Sequence, residues 1–152
     1  MRLHPKQFIE GIPTGNPHKG DVIIGGKSNF KEITSAFPRH SVFLKGGMRA
    51  SFPTSQILKG EMNVYYDAGG HCKGVEIYRG ICDGQQTLFW NEIDLLNSTL
   101  RELYNIFDGM GLHVDIADYG IEVQEIGIST FSSDFEKDLR IAIDSVYCKF
   151  GD

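Results

Sequence analysis

Residues 88–131, LFWNEIDLLNSTLRELYNIFDGMGLHVDIADYGIEVQEIGISTF, carry three connected signals. They predict a strand over Thr87 to Trp90, a short helix opening near Asn97, and a strand pair turning at Asp118-Tyr119-Gly120. In the helix, Leu100, Leu103, Tyr104 and Phe107 fall at i, i+3, i+4 and i+7. That spacing makes one apolar stripe that needs a sheet to lie on, while Arg101, Glu102, Asn105 and Asp108 face away from it. Thr99 with Glu102 fits a capping box, and Gly109 and Gly111 end the helix.

The strand pair carries its own register. Leu112, Val114 and Ile116 alternate along Leu112 to Ala117, and Ile121 and Val123 alternate with Glu122 and Gln124 along Ile121 to Glu125. Pairing Ile116 with Ile121 and Val114 with Val123 keeps every apolar residue on one face. The other face then sets Asp115 opposite Glu122 and His113 opposite Gln124. Two carboxylates directly across a ladder cost roughly 0.2–1 kcal/mol, so something is gained from keeping them. After Glu125 the alternation slips to Ile126, Ile128 and Thr130, and Gly127 at the slip reads as a β-bulge.

The other segments are expected to pack around this unit. Met1 to Gly20, with three Pro and three Gly, reads as an irregular arm anchored by Phe8 and Ile9. Asp21 to Ile24 is a brief strand, and Ser28 or Asn29 caps a second short helix in which Phe30, Ile33 and Phe37 share a face and Pro38 closes the element. Ser41 to Leu44 predicts a strand stopping at Gly46-Gly47, whereas Met48 to Gln56 gives no strong signal. Ile57 to Tyr66 and His71 to Arg79 form a hairpin around Asp67-Ala68-Gly69-Gly70. Past a turn at Ser132-Ser133-Asp134, with Lys137, Asp138 and Arg140 solvated, Leu139 to Phe150 returns as a last strand with Leu139, Ile141 and Ile143 on one side. Hairpins dominate and helices do not alternate with strands, which predicts an α+β fold: a mainly antiparallel sheet of about six or seven strands with two short helices.

The whole chain bounds what these elements can do. Its 152 residues, 41% hydrophobic, suffice for a single domain over 1–152 with one core. Fifteen Lys and Arg against twenty Asp and Glu give a net charge of −5, with no basic run, so a basic protein is a better match than nucleic acid as direct ligand. Cys72, Cys82 and Cys148 are odd in number and widely spaced, which indicates neither a disulfide framework nor a zinc site. No stretch approaches the ~20 apolar residues of a membrane span, and the chain is expected in a reducing cytoplasm. No repeat or low-complexity tract is visible.

Motifs for chemistry are weak. Asp21-Val22-Ile23-Ile24-Gly25-Gly26-Lys27-Ser28 comes within one residue of a phosphate-binding loop, but Asp21 stands where Gly is needed and the β-branched run resists the required bend. A turn and helix cap explain it adequately. Cys82 with His71 or His113 offers a thiol–imidazole pair without a flanking motif, and His71 and Cys72 on one strand point to opposite faces, which spoils them as joint metal ligands. Asp83, Asp94, Asp115, Asp118, Glu122 and Glu125 concentrate carboxylates in the second half. A glycosidase would need two of them about 5–10 Å apart in a cleft. Singly, each reads as solvated surface; together, at a hairpin and its neighbouring turns, they suit Lys and Arg of a partner. The residues expected to meet that partner are Asp115, Asp118, Glu122 and Gln124, with Tyr119 as aromatic anchor, and no catalytic residue, cofactor or metal ligand is indicated.

The order running from Asn63-Val64-Tyr65-Tyr66 through Gly74-Val75-Glu76-Ile77-Tyr78, Leu88-Phe89-Trp90-Asn91-Glu92-Ile93-Asp94-Leu95, the short helix and Tyr119-Gly120-Ile121 to Ile126-Gly127-Ile128-Ser129 resembles small bacterial immunity proteins. In layout and hydrophobic pattern, without a diagnostic short motif, it is similar to those protecting cells from toxins of contact-dependent growth inhibition. The resemblance implies a cytoplasmic, non-catalytic protein that binds and blocks the C-terminal nuclease domain of a cognate toxin, in some members by accepting a toxin hairpin against its own sheet. A nuclease is usually basic where it meets anionic substrate, so an acidic inhibitor fits it. A small hydrolase and an adaptor that self-associates through a sheet edge are the alternatives.

Overall fold

The structure, a computed structural model, describes residues 1–44, 52–80, 86–133 and 142–152. In chain order its regular elements are β1 (Arg2–His4), β2 (Phe8–Pro13), β3 (Asp21–Gly25), α1 (Phe30–Ala36), β4 (Ser41–Phe43), β5 (Thr54–Ile57), β6 (Met62–Tyr66), β7 (Cys72–Tyr78), β8 (Phe89–Trp90), β9 (Ile93–Asp94), α2 (Leu100–Gly109), β10 (Asp115–Ala117), β11 (Gly120–Val123), β12 (Ile128–Phe131) and β13 (Ser145–Lys149). The fold is α+β and mainly antiparallel with two α-helices, as the hairpin pattern predicts. The strands are more numerous and divide differently. A five-stranded sheet runs β3-β2-β1-β8-β9 and an eight-stranded sheet runs β10-β11-β12-β13-β7-β6-β5-β4.

Three expectations are corrected. The first twenty residues are not an irregular arm: β1 and β2 pair antiparallel and bury Leu3, Ile9 and Ile12. Their signal is hidden because β2 shifts register against β3 between Ile9 and Ile12, where Gly11 adopts φ +75°, so the buried pair falls three residues apart instead of two. Residues 88–131 are not the centre either. They contribute β8 and β9 to one end of the smaller sheet and β10 and β11 to one edge of the larger, whose middle is the pairing of β7 with β13 over Gly74–Tyr78 and Ser145–Lys149. Finally, Gly127 does not mark a bulge: Gln124–Ile126 form a 3-10 turn, which Gly127 closes at φ +68° with its N–H donating to the Gln124 carbonyl, 3.2 Å. A Cβ there would lie 2.9 Å from the Lys149 carbonyl, so Gly is required twice over.

Both helices form where their caps predict. Asn29 and Glu32 make a reciprocal capping box at α1, and the Thr99 hydroxyl accepts from the Glu102 N–H at α2, 3.1 Å. On α2 the buried side chains are Leu100, Leu103 and Phe107, with Tyr104 at the margin. The helix lies against β11, and Trp90 from the smaller sheet meets Phe107 at 5.9 Å between ring centres. One buried cluster draws on both sheets and both helices. It covers only one face of the larger sheet, through residues such as Ile57, Met62, Ile77 and Val146, which lie side by side in register. Gly46-Gly47, Cys82, Asp83, Asp134, Lys137, Asp138, Leu139, Arg140 and Ile141, read from sequence above, lie outside the described residues.

Candidate protein-interaction face

The other face of the larger sheet is polar. Following the registers from strand to strand, Gln56 sits beside Asn63, then Glu76, Tyr147, Ser129, Glu122 and Asp115, a single row from β5 to the β10 edge. Directly paired residues point to the same side of a sheet, so the acidic hairpin is the end of this row. Tyr65 and Tyr78 flank it at the middle, where the hydroxyls of both donate to Glu76 Oε1, 3.0 and 2.7 Å, and the Ser145 hydroxyl donates to Oε2, 3.2 Å. Asn63, buried, donates to the Tyr78 oxygen and accepts from Gln56. Burial and the hydrogen bond to Glu76 push the Tyr78 hydroxyl well above its ordinary range, so it stays a proton donor.

At the hairpin the register is the one read from the sequence: Ile116 faces Ile121 and Asp115 faces Glu122. Each carboxylate has found a donor of its own. His113 Nε2 lies 2.8 Å from Asp115 Oδ1, and the Tyr119 hydroxyl donates to Glu122 Oε1, a bond that raises the phenol pKa. These local ties offset part of the repulsion across the ladder and fix both groups in orientation. Asp118 stands exposed on the turn, close enough to Tyr119 to add to its raised pKa. Tyr119 is 39% exposed and stacks on Phe131, 43% exposed, with ring centres 6.0 Å apart.

The structure therefore brings four of the five expected contact residues together: Asp115, Asp118, Tyr119 and Glu122. Gln124 does not join them. The ladder ends at Asp115 and Glu122, and Gln124 lies exposed in the 3-10 turn. Opposite His113 stands Glu125 instead, whose Oε1 accepts from the His113 backbone N–H at 3.0 Å and whose pKa is lowered by that bond. Ile116 departs from expectation too. It lies on the row of the apolar face but is 58% exposed, because β10 is the sheet's last strand and the core does not reach over it.

Phe131, Tyr147, Glu76 and the flanking tyrosines were missed as members of this face. Phe131 becomes Tyr119's neighbour only once β12 is folded back on β11, and the 3-10 turn between them conceals that hairpin. Tyr147 reaches the row through pairing with Glu76 across seventy-one positions of sequence, for which no local signal exists. Comparisons with protein-family models, curated proteins and solved structures find no match to this chain.

Cys72 and Cys148 are buried, and burial pushes both thiols up to about 12, far from a reactive thiolate. No group of three or more His, Cys, Asp or Glu that could hold a metal ion occurs among these residues. Asp94 is occupied as a cap, accepting from the N–H groups of Leu96 and Asn97, each at 3.1 Å. The near phosphate loop is a strand followed by a tight turn, with Ser28 N–H donating to Gly25 carbonyl at 2.9 Å. No helix among the described residues is long and apolar enough to cross a membrane.

Proposed function

We propose that this chain is a cytoplasmic immunity protein that binds the basic C-terminal nuclease domain of a cognate contact-dependent inhibition toxin and performs no chemistry itself. What supports the reading is the hairpin: Asp115 and Glu122 stand side by side on the sheet's outer strands, oriented by His113 and Tyr119, beside the exposed rings of Tyr119 and Phe131. Paired carboxylates with an adjoining aromatic surface suit Lys and Arg of a basic partner, the aromatics adding contact area at little entropic cost. Glu76, Tyr65, Tyr78 and Tyr147 carry the same chemistry inward along the row. The sequence resemblance supplies the class of partner.

The test uses the C-terminal domain of any toxin whose gene adjoins the one for this chain. Titration calorimetry with that domain should give tight binding, and changing Asp115→Lys together with Glu122→Lys should weaken it about a hundredfold, since like charges then face the partner. Unchanged affinity in a folded double variant removes this face. Failure of the unaltered chain to inhibit any adjoining toxin domain removes the reading itself.

A further inference from the structure

A crevice of about 1150 Å³ shares no residue with the acidic hairpin. It lies where the β2–β3 turn, the C-terminal end of α1, the β5–β6 connection and the end of β7 meet. Among the described residues that line it, Arg39, Lys59 and Arg79 stand against one carboxylate, Glu61, in a protein whose acids outnumber its Lys and Arg twenty to fifteen. Among the described residues none of the three cations makes an ion pair. Backbone strain marks the same spot. Leu58 and Lys59 hold φ +52° and +54°, a left-handed conformation that side chains disfavour, at the lip of the crevice, and Gly60 follows at +91°. Strain of this kind persists where surrounding structure imposes it and is frequent at ligand sites. Here the hydrogen bonds from Glu61 N–H to Leu58 carbonyl, 3.1 Å, and from Tyr78 N–H to Glu61 carbonyl, 2.8 Å, hold the turn against β7.

We propose that this crevice binds a small polyanion of the phosphate class, with Arg39, Arg79 and Lys59 as its ligands. Two guanidinium forks match phosphate oxygens in pairs, and a Lys ammonium adds a compact point charge. The crevice is open to solvent and has room for a small molecule, whose sites run to roughly 300–1,000 Å³, and the acidic surface elsewhere disfavours a long nucleic acid.

The test is calorimetric titration of the full chain with inorganic pyrophosphate and with ATP, alongside a short single-stranded DNA. Saturable binding of pyrophosphate or ATP is expected. Lys59→Gly should weaken it about tenfold, the loss of one charge-assisted contact, while leaving the melting temperature unchanged or raised, since glycine suits the local φ. Arg39→Ala with Arg79→Ala should abolish it, and Asp115→Lys with Glu122→Lys should leave it in place. Absence of binding at millimolar pyrophosphate and ATP overturns the proposal, as does affinity indifferent to Lys59→Gly and to the double Arg change, or tighter binding of the DNA than of ATP.

Discussion

The hairpins β6–β7 and β10–β11 use similar local language and end in opposite situations. Both alternate apolar with polar residues across an Asp- and Gly-containing turn, and both hold an acid on the polar side. In the first, the apolar face carries Met62, Val64, Val75 and Ile77, all fully buried, and the acid Glu76 receives hydrogen bonds from Tyr65, Tyr78 and Ser145. In the second, Ile116 remains largely exposed, and among the described residues Asp115 is met by His113 alone and Glu122 by Tyr119 alone. The difference is position in the sheet: β7 has a strand on either side, whereas β10 has one only among the described residues. A central hairpin is held from both sides, and an edge hairpin keeps backbone groups and side chains open to solvent.

The sharpest way to break that contrast is a matched pair of truncations. Ile77→Ala should cost about 2–5 kcal/mol in denaturant unfolding, the transfer and cavity loss of a filled core, while Ile116→Ala should cost below about 0.5 kcal/mol as an exposed site. Equal losses would mean the edge is covered. A smaller effect separates the polar sides. Asn63→Ala leaves Gln56 and Tyr78 without their buried neighbour and should cost about 1–3 kcal/mol in the same measurement. A loss near zero would show that the central network contributes orientation without stability.

The smallest effect concerns pH. Glu125 has its pKa lowered because the charged carboxylate accepts the His113 N–H. A lowered folded pKa contributes stability that is fully present above the ordinary carboxylate range and is lost as pH falls through the folded value. The His113 amide resonance should therefore move with a midpoint below that of an ordinary Glu. A midpoint at or above the ordinary range would show that this tie, which anchors the start of β10, does not form in solution.

How much of this was legible depends on how far apart the interacting residues lie. Capping at Asn29 and Thr99, the apolar stripe of α2 and the Asp115–Glu122 register are short-range: a few residues fix them through hydrogen-bond geometry and the two periodicities of helix and strand. Local irregularity defeated the reading elsewhere. The register shift at Gly11 disguised β2 as an arm, and the 3-10 turn at Gln124–Ile126 took Gln124 out of the ladder.

The sequence by itself determined the two helices, the mainly antiparallel character of the fold and the pairing that sets two acids side by side, because those follow from neighbours along the chain. Only the tertiary structure decided that the strands split into two sheets, that β7 and β13 form the middle of one, and that the acidic hairpin sits at its edge. Alternation states which side of a strand is apolar. It is blind to what lies beyond the strand, and that is settled by contacts between segments distant in sequence, whose formation depends on burying the shared core.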